Sequence, residues 1–122
     1  MRAKPRASRG VTAIESQRLL LSLPGVERGS SYGFPAFKIG GDFLARLRDD
    51  DTVLVVQIGS FEDRDYLLAR EPDVFFTTDH YRSYPTVLIR LALVRERTLR
   101  EILEDACGRL VARPKPRPRP RR

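Results

Sequence analysis

Residues 36–58 read AFKIGGDFLARLRDDDTVLVVQI, and the fold turns on how this stretch is paired. Three runs of strand length, Ala36 to Ile39, Phe43 to Arg48 and Val53 to Ile58, are separated by Gly40-Gly41-Asp42 and by Asp49-Asp50-Asp51-Thr52. Short apolar runs punctuated by glycine and aspartate predict a three-stranded antiparallel meander. Its register follows from the rule that facing residues share a side of the sheet. A two-residue Gly40-Gly41 turn sets Phe37 against Leu44 and Ile39 against Asp42, which mixes core with solvent on both faces. A three-residue loop instead sets Ile39 against Phe43 and Phe37 against Ala45, with Leu47 on the same side, and is the expected register. It sends Lys38, Leu44, Arg46 and Arg48 to the other face, where a four-residue turn adds Val53, Val55 and Gln57. One face is then apolar, the other mixed and basic.

Working outward, Thr12 with Glu15 three residues on has capping-box spacing and opens a helix that runs to about Leu23, where Pro24 and Gly25 stop it. Pro24 to Pro35 reads as loop. On the other side, Ser60 with Asp63 opens a second helix, with Glu62, Asp63 and Asp65 near its start and Arg70 near its end, as the helix dipole favours. Pro72 ends it. Val74 to Thr77 and Thr86 to Ala92 read as strands, and the alternation of Val87, Ile89 and Leu91 places Arg90 opposite the core. Thr98 with Glu101 opens the last helix, whose Leu99, Ile102, Leu103, Ala106, Cys107 and Leu110 recur at helical spacing. The order α-β-β-β-α-β-β-α predicts an α+β fold, an antiparallel sheet with helices on one face.

Charge divides the chain unevenly. The whole carries 23 Lys and Arg against 16 Asp and Glu, a net of +7. Residues 1–9 and 113–122 hold ten of the basic residues and no acid, so the body of residues 10–112 has a net charge of −3. We therefore expect a folded domain over 10–112 between two disordered basic arms, the second an Arg/Pro ribbon that contains Arg117 and Arg119. Alternate prolines there exclude helix and strand and favour an extended chain. No apolar run approaches the roughly 18 residues of a membrane span, and the N-terminus lacks the unbroken apolar stretch of a signal peptide, so a cytoplasmic protein without membrane attachment is expected. Cys107 is the single cysteine, which excludes an intrachain disulfide and a multi-cysteine metal site.

Two further stretches carry a resemblance. Gly33-Phe34-Pro35-Ala36-Phe37-Lys38-Ile39-Gly40-Gly41 with Phe43-Leu44-Ala45-Arg46-Leu47, and Phe75 to Leu91 with its His80-Tyr81 and Tyr84-Pro85 pairs, resemble the MmcQ/YjbR family across nearly everything from Leu23 to Val111. The resemblance implies a CyaY-like α+β fold, described for the family as a double-wing DNA-binding motif, in a bacterial cytoplasmic protein. It brings no reaction. The chain departs from the family where Thr86 and Cys107 stand at positions that are often Trp in relatives.

Candidate sites follow from these readings. Lys38, Arg46, Arg48 and Arg90 share the non-core face, where Arg and Lys can hold a phosphate backbone; the competing reading is a plain solvated sheet face. Asp49 to Asp51 repel phosphate next to Arg48, which makes the Gly40-Gly41 tip the better contact. Arg117 and Arg119 in the tail add sequence-independent affinity for DNA, or serve only solubility. His80, Tyr81, Arg82 and Tyr84 form a loop suited to stacking on a base or binding an anion, or to packing. No nucleophile is placed beside His80, and no nucleophile elbow, phosphate-cradling glycine loop or zinc motif occurs, so no catalytic residue, metal or cofactor is expected. Glu15 alone on the first helix does not make the acidic ridge that iron binding would need. The expected function is non-enzymatic DNA binding. The alternative is a small-molecule or protein-interaction module built on the His80, Tyr81 and Tyr84 loop.

Overall fold

A computed structural model describes residues 10–31 and 33–112. The chain runs α1 (Ala13–Leu21), β1 (Val26–Ser31), β2 (Phe34–Ile39), β3 (Asp42–Arg48), β4 (Val53–Gln57), α2 (Phe61–Arg70), β5 (Phe75–Phe76), a 3₁₀ turn (Asp79–Tyr81), β6 (Thr86–Arg90) and α3 (Glu96–Ala112). The six strands form one antiparallel sheet in the order β1-β2-β3-β4-β6-β5. The fold is α+β, and the three helices share one core with one face of the sheet. That core joins Leu20, Leu67, Leu68, Leu99, Leu103 and Ala106 of the helices to Phe37, Ala45, Leu47, Leu54, Val56, Val87 and Ile89 of the strands.

Local chemistry sets the helix starts. Thr12 Oγ1 accepts from the Glu15 amide while a Glu15 carboxylate oxygen accepts from the Thr12 amide, a complete capping box. Ser60 caps α2 by accepting from the Asp63 amide. At the third helix the expectation fails: α3 begins at Glu96, two residues before Thr98, and Glu96 holds Arg100 across one turn at 2.8 Å.

The loop expected from Pro24 to Pro35 contains a strand. β1 lies along β2 from the Val26/Ile39 pair to the Ser31/Phe34 pair, which adds a fourth strand to the meander. Its sequence, VERGSS, carries no apolar alternation because β1 is a sheet edge, and Val26 is the residue that packs on the core. The β2/β3 ladder stops at Ala36, one residue short of Pro35, whose ring has no N–H with which to extend it.

The β2/β3 register combines the two pairings weighed above. Ile39 faces Asp42 across a tight Gly40-Gly41 turn with φ of 57° and 87°, and Phe37 faces Ala45. A bulge between Phe37 and Lys38 absorbs the odd residue. Leu44, expected on the mixed face, is thereby fully buried in the helix-side core. Ahead of Val53 the chain turns through Asp49, Asp50 and Asp51, all with left-handed backbone (φ 56°, 56° and 66°), closed by bonds from the Thr52 amide and hydroxyl to the Asp49 carbonyl. Cys107 is buried on α3 with its thiol donating to the Pro24 carbonyl at 3.6 Å, and burial pushes its pKa up. Among the described residues no helix is long and apolar enough to cross a membrane.

Candidate functional site

The face of the sheet away from the helices is partly roofed. Val53, Val55 and Leu88 form a small buried cluster on it, and Phe43, Phe76 and Tyr81 pack against that cluster. Tyr81 comes from the 3₁₀ turn, so the segment between β5 and β6 folds back over the strands it connects. Its phenol does two things there: the ring covers the apolar cluster, and the hydroxyl accepts from Arg46.

Between this roof and the β2/β3 hairpin lies a cleft of about 320 Å3. Lys38, Gly41, Phe43 and Arg46 come to it from the hairpin, Gln57 and Thr86 from the paired ends of β4 and β6, and His80, Tyr81 and Tyr84 from the roof. Two of the residues read as phosphate contacts thus meet three of those read as a ligand loop. Lys38 and Arg46 are half-buried, and the Lys38 ammonium has no ion pair or hydrogen bond among the described residues. The His80 ring stands edge-on to Tyr81, with centroids 4.7 Å apart, and lies 6.3 Å from Tyr84 at 41°. Among the described residues no carboxylate lines the cleft.

The remaining expected contacts lie elsewhere. Arg48 and Arg90 flank Val53 in one row at the other end of the same face. Arg48 pairs with Asp49 at 3.2 Å, whereas Arg90 covers the Phe76 ring at 4.1 Å and donates to the Asp73 carbonyl. Arg82 is exposed and paired with Asp79 at 2.8 Å, outside the cleft lining. Arg117 and Arg119 lie outside the described residues, as do both basic arms.

Three residues of consequence were not read from the sequence as site residues, although Gln57 was set on the mixed face. Gln57 lines the cleft, and its Oε1 is closed to solvent with no hydrogen-bond partner. Thr86 contributes to the same wall although it is almost wholly buried. Arg64 of α2 is buried and donates to the carbonyls of Arg82 (2.9 Å) and Tyr84 (3.0 Å), fastening the far end of the roof to the helix layer. The available signal was its spacing: Arg64 falls three and four residues before Leu67 and Leu68, on the stripe that faces the core. From the other side, the Pro85 carbonyl accepts from the amides of Ile58 and Gly59. The roof is therefore held at fixed positions, which gives the cleft a preformed shape.

A larger concavity of about 620 Å3 lies beside α1 and β1. Among the described residues its lining has Arg18 and Arg28 but no aromatic ring, and its apolar walls, Ile14 and Leu21, are themselves exposed. An open groove of that kind offers less to fix a ligand than the smaller cleft, where cations and rings converge. Among the described residues no three His, Cys, Asp or Glu side chains gather as a metal set.

A small α+β domain with helices on one face of its sheet and a cation-and-aromatic cleft on the other defines the class. The family model of YjbR matches residues 21–106, and the chain belongs to that family. It is also 50% identical over 40 residues to the uncharacterized proteins Mb2600 of Mycobacterium bovis and Rv2570 of Mycobacterium tuberculosis. These matches cover 33% of this chain and 31% of each relative, so the chain aligns with less than a third of their length. No solved structure matches.

Proposed function

We propose that the protein is a non-enzymatic DNA-binding protein in which Lys38 and Arg46 contact phosphate at the cleft and the basic arms, with Arg117 and Arg119, supply most of the long-range attraction. The observation that carries this reading is the convergence of Lys38 and Arg46 on one concavity whose described lining residues include no carboxylate. A net charge of −3 on residues 10–112 leaves the body little general affinity for DNA, so a local cation pair must do the positioning while the arms add salt-dependent binding. This role agrees with the double-wing DNA-binding description that the family resemblance brings.

The test is titration of duplex DNA with the full chain and with residues 10–112 across a salt series. The core lies within 10–112, so trimming leaves it intact. Both should bind at low salt, the trimmed form more weakly. Each phosphate contact removed lowers the slope of log affinity against log salt by about 0.9 on B-form DNA, so Lys38→Gln should lower it by about that amount. Absence of binding by either form at low salt refutes the reading, and binding by the full chain alone removes the cleft from it.

The aromatic walls of the cleft favour a second reading, a small-molecule or protein-interaction module in which the arms are incidental. It predicts that trimming both arms leaves ligand binding unchanged.

A further inference from the structure

Phosphate contact uses only the cationic side of the cleft and leaves its rings and its amide unexplained. Three chemistries share the one space. Lys38 and Arg46 select an anion, and among the described residues the lining holds no carboxylate to oppose one. Tyr84 offers a flat π surface: its side chain is 53% exposed, and its place is set by the bonds from Arg64 and from the Thr86 amide to its carbonyl. Tyr81 is committed to the apolar cluster and to Arg46, which leaves Tyr84, with His80 beside it, as the ring available for stacking. Gln57 supplies the third, a carboxamide in the cleft wall whose oxygen is closed to solvent and has no partner among the described residues, so it meets a ligand by turning the side chain toward the cleft. The volume of about 320 Å3 falls at the low end of the range of about 300–1,000 Å3 for small-molecule pockets, which is room for one compact ligand.

Resting on the nucleic-acid reading above, we infer that the cleft binds a single 5′-phosphorylated nucleoside with an unpaired base. The phosphate lies on Lys38 and Arg46, the base stacks on Tyr84 beside His80, and Gln57 meets the base edge. Every base presents a π face and a set of donors and acceptors on its edge, so stacking is tolerant of sequence while the amide discriminates. A paired base in a duplex presents neither its face nor its pairing edge, so the folded body engages a nucleotide out of the stack. Such a unit arrives either as a free nucleotide or as an unpaired position in a strand.

The test uses the full chain. The chain has no tryptophan and two of its four tyrosines line the cleft, so the part of the tyrosine fluorescence change that is lost in Tyr84→Ala reports on the cleft. The probes are the 5′-monophosphates of adenosine, cytidine, guanosine and uridine, ribose 5-phosphate, inorganic phosphate, and one oligonucleotide offered single-stranded and fully paired. At least one monophosphate should bind at least tenfold more tightly than ribose 5-phosphate or inorganic phosphate. Tyr84→Ala, at an exposed side chain, should weaken that binding at least tenfold with no change in thermal midpoint, and Gln57→Leu should change the ranking of the four bases. Single-strand binding more than tenfold tighter than monophosphate binding identifies the strand as the source, and equal affinity identifies the free nucleotide. Monophosphates that bind no better than ribose 5-phosphate overturn the inference. Duplex binding insensitive to Tyr84→Ala and Gln57→Leu overturns it while leaving the DNA reading in place, and absence of all binding overturns both.

Discussion

Arg64→Met is the most informative single change, because it separates the roof from the helix layer while keeping an unbranched apolar stem in the α2 packing. Wild-type Arg64 is 8% exposed and donates to the Arg82 and Tyr84 carbonyls at 2.9 and 3.0 Å. Hydrogen bonds from a charged group contribute about 1.5–3 kcal/mol each. Two effects reduce the loss. Methionine relieves the desolvation of the guanidinium, and the carbonyls belong to exposed residues where water can replace the lost donors. The Asp65 partner adds little, since its side chain is 64% exposed and such pairs contribute about 0–1 kcal/mol. The net expectation is a loss of about 2 kcal/mol, or about 8–16 °C in the midpoint of a domain this size. Urea unfolding measures the global term. Hydrogen exchange measures the local one: amides of Tyr81, Tyr84 and Thr86 should exchange about 30-fold faster, since 1.4 kcal/mol is tenfold. A variant within about 0.5 kcal/mol of wild type, with unchanged exchange at Tyr84, would show that water replaces the guanidinium without loss, and the case for a preformed cleft would fall.

Three other outcomes follow from the fold. Thr12→Ala removes one half of the capping box and should cost about 1 kcal/mol in urea unfolding, with Glu15→Ala in the same background adding less than it does alone. Asp50→Gly should stabilise by about 0.5 kcal/mol, because Asp50 holds a φ of 56° that an L-residue adopts at a cost and glycine does not; an unchanged or lower midpoint contradicts the strain. Cys107 should resist alkylation until the chain unfolds. Its raised pKa, caused by burial, means that above the titration of the unfolded thiol the native state keeps a proton the unfolded state has lost. Stability is therefore full below that pH and declines as pH climbs toward the folded pKa, a slope that Cys107→Ala should reduce in urea midpoints between about pH 8 and 10.

What the sequence made legible was the chemistry that acts over three or four residues. Thr12 with Glu15 and Ser60 with Asp63 cap helices as their spacing dictates, because a side chain and an amide three positions apart must meet there. Thr98 shows the limit of that rule: the same spacing occurs inside α3, where Glu96 starts the helix first and pairs with Arg100. The β1 strand was illegible since an edge strand needs no alternation, and only its pairing with β2 marks it. The bulge beside Lys38 could not be chosen from composition either, because it reconciles a tight turn with a core that needs Phe37 opposite Ala45. At the site, Lys38, Arg46, His80, Tyr81 and Tyr84 were readable as residues, in two separate groups. Their union depends on the roof folding back across the sheet, and the parts that hold it there, Arg64 and the Pro85 carbonyl, act over distances in sequence that no local pattern records.

The division of charge also acquires a different meaning once the pairs are known. Arg48, Arg64, Arg82, Arg97, Arg100 and Arg109 each stand within 3.7 Å of a carboxylate, and Arg90 is spent on Phe76 and the Asp73 carbonyl. A phosphate arriving at one of these arginines must compete with a partner already in place. At Lys38 no ion pair or hydrogen bond among the described residues stands in its way, so the gain is larger even though the ammonium is a simpler charge than a guanidinium. Glu27 lies across the β1/β2 ladder from Lys38 without forming an ion pair with it, so this acid tempers the charge without occupying it. A sum over residues 10–112 weighs all thirteen cations equally, whereas screening over about 8–10 Å at physiological salt makes each ligand respond to its immediate surroundings. The mildly acidic body and a cationic cleft are therefore compatible: six of the acids pair with arginines away from the cleft, while Lys38 and Arg46 meet in a lining that includes no carboxylate among the described residues.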